Sequence, residues 1–163
     1  VLSLNFLHKF LLVTKYQVIV GGEEEMDSYQ RKMELTVIGT VKSPYKKKGE
    51  APHQGRNSEE LSQIIIMPEF EEGLEGVERY HQLFILYWFD RAEEPLLKVV
   101  PPGRKKKRGI FSTRGPPRPN PIGLTLVDLV KREGPVLTVR GLEALDGSPV
   151  LDIKPYLPDL DSV

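Results

Sequence analysis

One run in this 163-residue chain, QLFILYWFD at 82–90, tolerates few environments. As a strand with side chains alternating between faces, it puts Leu83, Ile85, Tyr87 and Phe89 on one side and Phe84, Leu86 and Trp88 on the other. Neither face can be left in water, so a central strand covered on both sides is expected. Shorter runs with strand patterning surround it. ELTVIGTVK (34–42) alternates Leu35, Val37, Gly39 and Val41 against Thr36, Ile38 and Thr40, and LSQIIIM, IGLTLVDLV, PVLTVRG and SPVLDIK supply further strands. The turn-formers Glu133-Gly134-Pro135 and Asp146-Gly147 separate them. Only EFEEGLEGVERY, 69–80, suits a short helix. The expected class is mainly β with little helix, a sandwich or a small closed barrel.

At 163 residues and 39% hydrophobic composition, the chain has material for one core and is too short for two comfortable ones. The domain is expected over 33–163, with 1–32 as an N-terminal extension. VLSLNFLHKFLLVTKYQVIV is apolar, but His8, Lys9 and Lys15 interrupt it and no small-residue cleavage site follows, so neither a signal peptide nor a membrane span is read there. Two readings of 1–32 stand: a stretch upstream of a natural start at Met26 or Met33, and a strand or hairpin annex that packs on the domain or on a second subunit. No cysteine is present, which removes thiol nucleophiles, disulfides and thiolate metal sites and fits a reducing cytoplasm. Acidic and basic side chains number 23 each, so any attraction to nucleic acid must be local.

The sequence lacks a G-x-G-x-x-G fingerprint and a P-loop, and His8, His53 and His81 are too scattered for a metal site. What remains is a set of constrained loops. STRGPPRPNPIGL, 112–124, holds four prolines that fix their own φ and stiffen their neighbours. A stiff loop loses little entropy on binding, and its guanidinium groups suit carboxylate or phosphate. Arg114 and Arg118 could thus form a preorganised clamp, with Asn120 offering an amide to a base edge. Against this stand an exposed PPRP ligand for another protein's aromatic groove and a set of strand terminators with solvated arginines. Lys46-Lys47-Lys48 and Arg104-Lys105-Lys106-Lys107-Arg108 read either as solvated loops or as phosphate contacts. Glu69, Glu71, Glu72, Glu75 and Glu78 suggest that charge is segregated by face. In ALDGSPVLDIKPYLPD, Asp152 and Lys154 share a strand face as an ion pair, while the turn before them could present backbone groups to a ligand.

Four stretches in this order, VIGTVKSPYKKKGEAPHQ, EGVERYHQLFILYWFDRA, FSTRGPPRPNPIGLTLVDL and LDGSPVLDIKPYLPD, resemble the TrmO/TsaA-like family, which has VirR among its members. The resemblance covers about residues 34–161. It implies a methyltransferase that uses S-adenosylmethionine on a small antiparallel-rich β-barrel, not a Rossmann-type sheet. It further implies a homodimer acting on the exocyclic nitrogen of threonylcarbamoyladenosine in tRNA. Carried over by motif, the cofactor contacts are Pro52, His53 and Gln54 from PHQ, Asp90 and Arg91 after the aromatic strand, and Arg114 in the Pro/Arg loop. Leu124 follows on the next strand, and Leu145, Asp146, Gly147 and Ser148 come from the turn. Two positions depart from the family: many members have Arg where this chain has His53, and His where it has Asp90. Some bacterial relatives also continue into a further domain after the KPY motif.

Methyl transfer from a sulfonium is an in-line displacement, so alignment and exclusion of water carry most of the demand. The acceptor nitrogen gains from a base, for which Asp152 and Tyr156, with His53, are the candidates. Arg118, Asn120 and Lys154 are assigned to the tRNA side, with Arg118 suited to the threonyl carboxylate. No metal and no membrane are expected. A non-catalytic RNA- or nucleotide-binding module and a PPRP adaptor are the alternatives.

Overall fold

The computed structural model describes residues 15–18 and 33–162. In chain order the strands are β1 (Lys15–Val18), β2 (Met33–Thr36), β3 (Gly39–Lys42), β4 (Leu61–Ile66), β5 (Gln82–Trp88), β6 (Lys98–Val99), β7 (Arg108–Gly109), β8 (Ile122–Glu133), β9 (Val136–Arg140) and β10 (Pro149–Pro155). The chain divides into two units after Val37. In the first, β1 pairs antiparallel with β2, with Lys15 opposite Thr36; the rest of 1–32 lies outside the described residues.

The second unit is a closed antiparallel barrel in the order β10-β3-β4-β9-β8-β5. Its interior is the buried face of each strand: Val41, Ile64 and Ile66, Leu83, Ile85 and Tyr87, Val127, Leu137 and Val139, and Val150. Burying these side chains stabilises the barrel by about 1.5–3 kcal/mol each, before the entropy of ordering the chain is subtracted. Closure corrects the expectation for the 82–90 run. A closed barrel has no central strand: β5 lies between β8 and β10 like any other member. Leu83 and Ile85 are fully buried, as the alternation requires. Phe84, Leu86 and Trp88 stay half-buried on the outside, opposite Leu126, Leu124 and Ile122 of β8. Together they form an apolar band on which Leu124 is 57% exposed.

ELTVIGTVK, expected as one strand, is two. After Thr36 the chain changes partners: Ile38 donates its amide to Val150 and accepts from the amide of Met67, each at 2.9 Å. At 69–80 two 3-10 segments, Pro68–Leu74 and Val77–Arg79, replace the expected helix. Gly76, at φ +80°, separates them, a conformation that ends a regular helix. Leu74 is buried in the core there, and Phe70 and Val77 pack against it. The remaining turn-formers act as the sequence implies, with Gly134 at φ +58° between β8 and β9 and Gly147 at +81° before β10.

Candidate functional site

At one end of the barrel the loops enclose a cavity of about 1500 Å³. The segment between β3 and β4 supplies Pro52, His53, Gln54 and Arg56; the end of β5 supplies Asp90 and Arg91; the β6–β7 hairpin supplies Lys98, Arg104, Lys107 and Arg108. The Pro/Arg loop contributes Arg114 and Arg118, β8 contributes Leu124, and the segment between β9 and β10 contributes Glu143, Leu145 and Ser148. Segments far apart in sequence meet because closure brings the ends of β3, β5 and β9 and the start of β8 to one rim.

Asp146 and Gly147 stand just behind this lining and hold it. Asp146 accepts from the Ser43 amide at 3.0 Å and pairs with the Lys46 ammonium at 2.8 Å. Burial alone would raise its pKa, but the Lys46 and Ser43 hydrogen bonds and the charges of Lys46 and Arg91 hold the carboxyl below its ordinary value. Arg91 ties this turn to β5: its Nη2 donates to the Asp146 carbonyl at 2.8 Å and to Ser148 Oγ at 3.3 Å, and its Nε lies 3.2 Å from Asp90. Arg91→Lys keeps the charge but cannot span these partners. A loss of about 1–2 kcal/mol of stability is expected in urea titration, and an unchanged midpoint would show the bridge to be idle.

The Pro/Arg loop is folded back on the protein. Arg118 Nη1 donates to the carbonyls of Thr113 (2.9 Å) and Ile110 (3.2 Å), and the Leu96 amide donates to the Pro117 carbonyl at 3.1 Å. The Arg118 guanidinium also lies 5.8 Å from the ring centroid of Phe111, which is 76% exposed. Arg118 is thus a brace as well as a cavity residue, and a PPRP segment held this way is not a free polyproline ligand. Arg114, by contrast, makes no ion pair or hydrogen bond among the described residues.

The remaining predicted residues are dispersed. Tyr156 lines the cavity and meets Phe84 edge-on at 5.7 Å. Asp152 pairs with Lys154 at 2.8 Å, as the strand-face reading requires, and lines a second cavity with Ile66, Phe70 and Leu74. Asn120 carries a turn, its carbonyl accepting the Ile122 amide at 2.8 Å. Neither Asn120 nor Lys154 is part of the large cavity's lining.

Glu143 and Tyr87, which sequence reasoning passed over, form part of the cavity floor. Glu143 Oε1 accepts from Thr125 Oγ1 at 2.7 Å, while Glu143 Oε2 and the Tyr87 hydroxyl are buried without a hydrogen-bond partner. Burial raises the pKa of both, and the Glu143 charge adds to the rise at Tyr87. Two glycines make the floor feasible. A Cβ on Gly55 would collide with the Gly141 carbonyl and Glu143 Oε2, and one on Gly123 would collide with the Tyr87 ring.

Charge is segregated around this site. Lys48, Arg56, Arg91, Lys98, Arg104, Lys107, Arg108, Arg114 and Arg118 face only Asp90, Glu93, Glu143 and Asp161, in a chain whose formal net charge is zero. The acidic 3-10 region lies elsewhere, with Glu69 and Glu72 on the second cavity. Among the described residues no cluster of His, Asp and Glu could hold a metal ion, and no helix is long and apolar enough to cross a membrane.

A small closed barrel with a basic loop-walled cavity at its rim defines the class: an antiparallel β-barrel domain with one basic cavity. Residues 40–162 match the tRNA-methyltransferase O N-terminal domain, and the chain belongs to that family. A probable S-adenosyl-L-methionine-binding protein of Methanothermobacter thermautotrophicus is 53% identical over 133 residues, 80% of this chain and 96% of that one. The tRNA (adenine(37)-N6)-methyltransferase of Escherichia coli is 34% identical over 137 residues, 77% of this chain and 58% of that one. A crystal structure of TrmO from Pseudomonas aeruginosa superposes with a TM-score of 0.66 at 33% identity, covering 79% of this chain and 58% of that one. The chain therefore spans less than two thirds of the length of those last two proteins.

Proposed function

We propose that this chain is an S-adenosylmethionine-dependent methyltransferase of tRNA that methylates N6 of an adenine, the acceptor being the exocyclic nitrogen of threonylcarbamoyladenosine. The observation that carries this reading is the basic cavity: a net-neutral chain gathers Lys and Arg around one opening large enough for a cofactor and a nucleotide together. The residues present fit the cofactor. The floor has buried polar atoms without partners and two glycines that keep space clear, and the apolar Leu124 and Leu145 stand beside the polar Gln54 and Ser148.

When bound, S-adenosylmethionine supplies an electrophilic methyl group. Pro52, His53, Gln54, Asp90, Arg91, Arg114, Leu124, Leu145 and Ser148 would hold it, with Asp146 and Gly147 fixing the turn behind them. His53 and Asp90, the two departures from the family pattern, stand on two walls of the cavity. Arg118 and Asn120 brace the loop that meets the tRNA. Of the two candidate proton-handling residues, Tyr156 stands in the cavity and takes that role, while Asp152 is held by Lys154 at the second cavity and stays outside the transfer. The rigid Pro/Arg loop fixes orientation and excludes water, so alignment supplies most of the acceleration. The apolar band of Phe84, Leu86, Trp88, Ile122, Leu124 and Leu126 is the surface for a second copy, and the working form is a cytoplasmic homodimer.

The decisive experiment incubates the chain with labelled S-adenosylmethionine and tRNA, with and without the threonylcarbamoyl modification, followed by nucleoside mass spectrometry. One added methyl on the modified adenosine alone is expected. Methyl transfer to unmodified adenosine overturns the acceptor assignment. Binding of both ligands without transfer favours a non-catalytic RNA- or nucleotide-binding module.

A further inference from the structure

S-Adenosylmethionine differs from its demethylated product chiefly in the positive charge on sulfur, and a cavity crowded with Lys and Arg repels that charge. Four carboxylates on the cavity lining could offset it, and three are already engaged. Asp90 lies 3.2 Å from Arg91 Nε, Glu93 lies 3.2 Å from the Lys48 ammonium, and Asp161 accepts the Leu157 amide at 2.8 Å. Glu143 has no ion pair among the described residues. Thr125 Oγ1 donates to one of its oxygens, the other is buried without a full hydrogen bond, and the Glu143 and Gly55 backbone amides and the Arg114 charge also act on the carboxylate.

We propose that Glu143 is the counter-charge that lets this cavity prefer a sulfonium over the corresponding thioether. The assignment rests on the cofactor reading above and deepens it. A buried carboxylate with no ion pair is costly in the empty protein even with the Arg114 charge facing it, and a cationic ligand reduces that cost. Burial also makes the interaction stronger than the same pair in water, because little solvent screens it. The floor is built to keep the group in place. Thr125 of β8 orients one oxygen, Gly55 leaves room for the other, and the Tyr87 ring of β5 closes the space beside them. Glu143 is a cofactor-selecting residue and takes no part in the bonds that form and break.

The charged and titratable groups facing Glu143 are Arg114 from the Pro/Arg loop and Tyr87 from β5. Tyr87, whose pKa is raised by burial, stays neutral in the range that matters. Glu143 is therefore the group that titrates, above the ordinary carboxylate value of 4.5 because it is buried.

The test is isothermal titration calorimetry of the full chain with S-adenosylmethionine and, separately, S-adenosylhomocysteine. Glu143→Gln is expected to weaken the first by on the order of 10- to 100-fold and the second by less than about 2-fold. Equal losses for the two ligands, or no loss for either, overturn the assignment while leaving the cofactor reading intact. Wild-type protein that binds neither ligand overturns both. A second measurement needs no variant: the wild-type ratio of the two affinities should collapse toward the Glu143→Gln ratio as pH falls and Glu143 takes up its proton. The amino acid moiety common to both ligands cancels in that ratio. A preference that does not change with pH over the range in which the protein stays folded counts against the proposal. The empty variant also reports on its own folding. Its melting temperature at neutral pH should not fall, since the native carboxyl's raised pKa means that its stabilising contribution is lost as pH rises through that value.

Discussion

Replacing Arg104, Lys105, Lys106, Lys107 and Arg108 together by serine is expected to weaken tRNA binding about 100-fold at near-physiological salt, with no loss of S-adenosylmethionine affinity. All five side chains are exposed, on the loop and edge of the β6–β7 hairpin, and none makes an ion pair among the described residues. Arg104, Lys107 and Arg108 reach the cavity lining, so the run extends the basic cavity outward along one wall. An RNA backbone following that wall would meet up to five cations, each releasing about 0.7 of a counterion from single-stranded RNA. The slope of log affinity against log salt should therefore flatten by roughly 3 in the serine variant. Fluorescence anisotropy over a salt series reads both quantities. A slope identical to wild type would mean that the hairpin is a solvated surface and that RNA enters from another side. Stability should hold, because β6 and β7 pair through backbone groups at Lys98↔Gly109 and Val99↔Arg108.

The two basic runs also show where sequence stops being informative. Lys46-Lys47-Lys48 and Arg104–Arg108 read alike, each a short cluster after a proline. In the structure Lys46 is tied to Asp146 and Lys48 to Glu93, so the first run is partly structural, whereas the second has no such partners. The difference depends on which acidic residue lies across the fold, and no local pattern encodes that. Strand periodicity was more legible, since the buried face of β5 follows from alternation alone. Its central position did not follow, because closure to a barrel is decided by long-range pairing. The split of ELTVIGTVK is likewise a change of partner at Ile38, invisible in an unbroken period of two.

At the site, the loops quoted for the family resemblance meet around one cavity, while its floor was illegible. Glu143 sits in GLEAL, one acid among apolar residues, where it reads as a loop charge. Its place depends on Thr125, eighteen residues away, and on Gly55 across the barrel rim. Asp152 looked better suited to proton chemistry because it lies in a recognisable motif, yet its side chain is paired with Lys154 and borders the second cavity. Motifs identify which loops matter; closure decides which carboxylate is left without an ion pair among the described residues.

Gly123 brings the core and the floor into one measurement. It lies opposite Tyr87 in the β5–β8 register, and Tyr87 is 1% exposed and packed edge-on against Phe89 at 5.1 Å. A methyl group on Gly123 would be driven into the Tyr87 ring. The ring has little room to move, so Gly123→Ala is expected to cost about 2–3 kcal/mol, the upper part of the range for overpacking. For a chain of this size that corresponds to a drop of roughly 5–10 °C in Tm. Tyr87→Leu alone should cost about 2–4 kcal/mol through the cavity it leaves. The double variant distinguishes a specific clash from a general weakness of the strand: without the ring, the added methyl group has space. Urea titration of the four proteins should therefore give a coupling of at least about 1 kcal/mol, with Gly123→Ala far less harmful in the Tyr87→Leu background. Losses that add within about 0.5 kcal/mol would mean that the glycine is required by the backbone and not by the ring. With the ring displaced, the wall beside Glu143 moves as well, so Gly123→Ala should lose S-adenosylmethionine affinity even at temperatures where it remains folded.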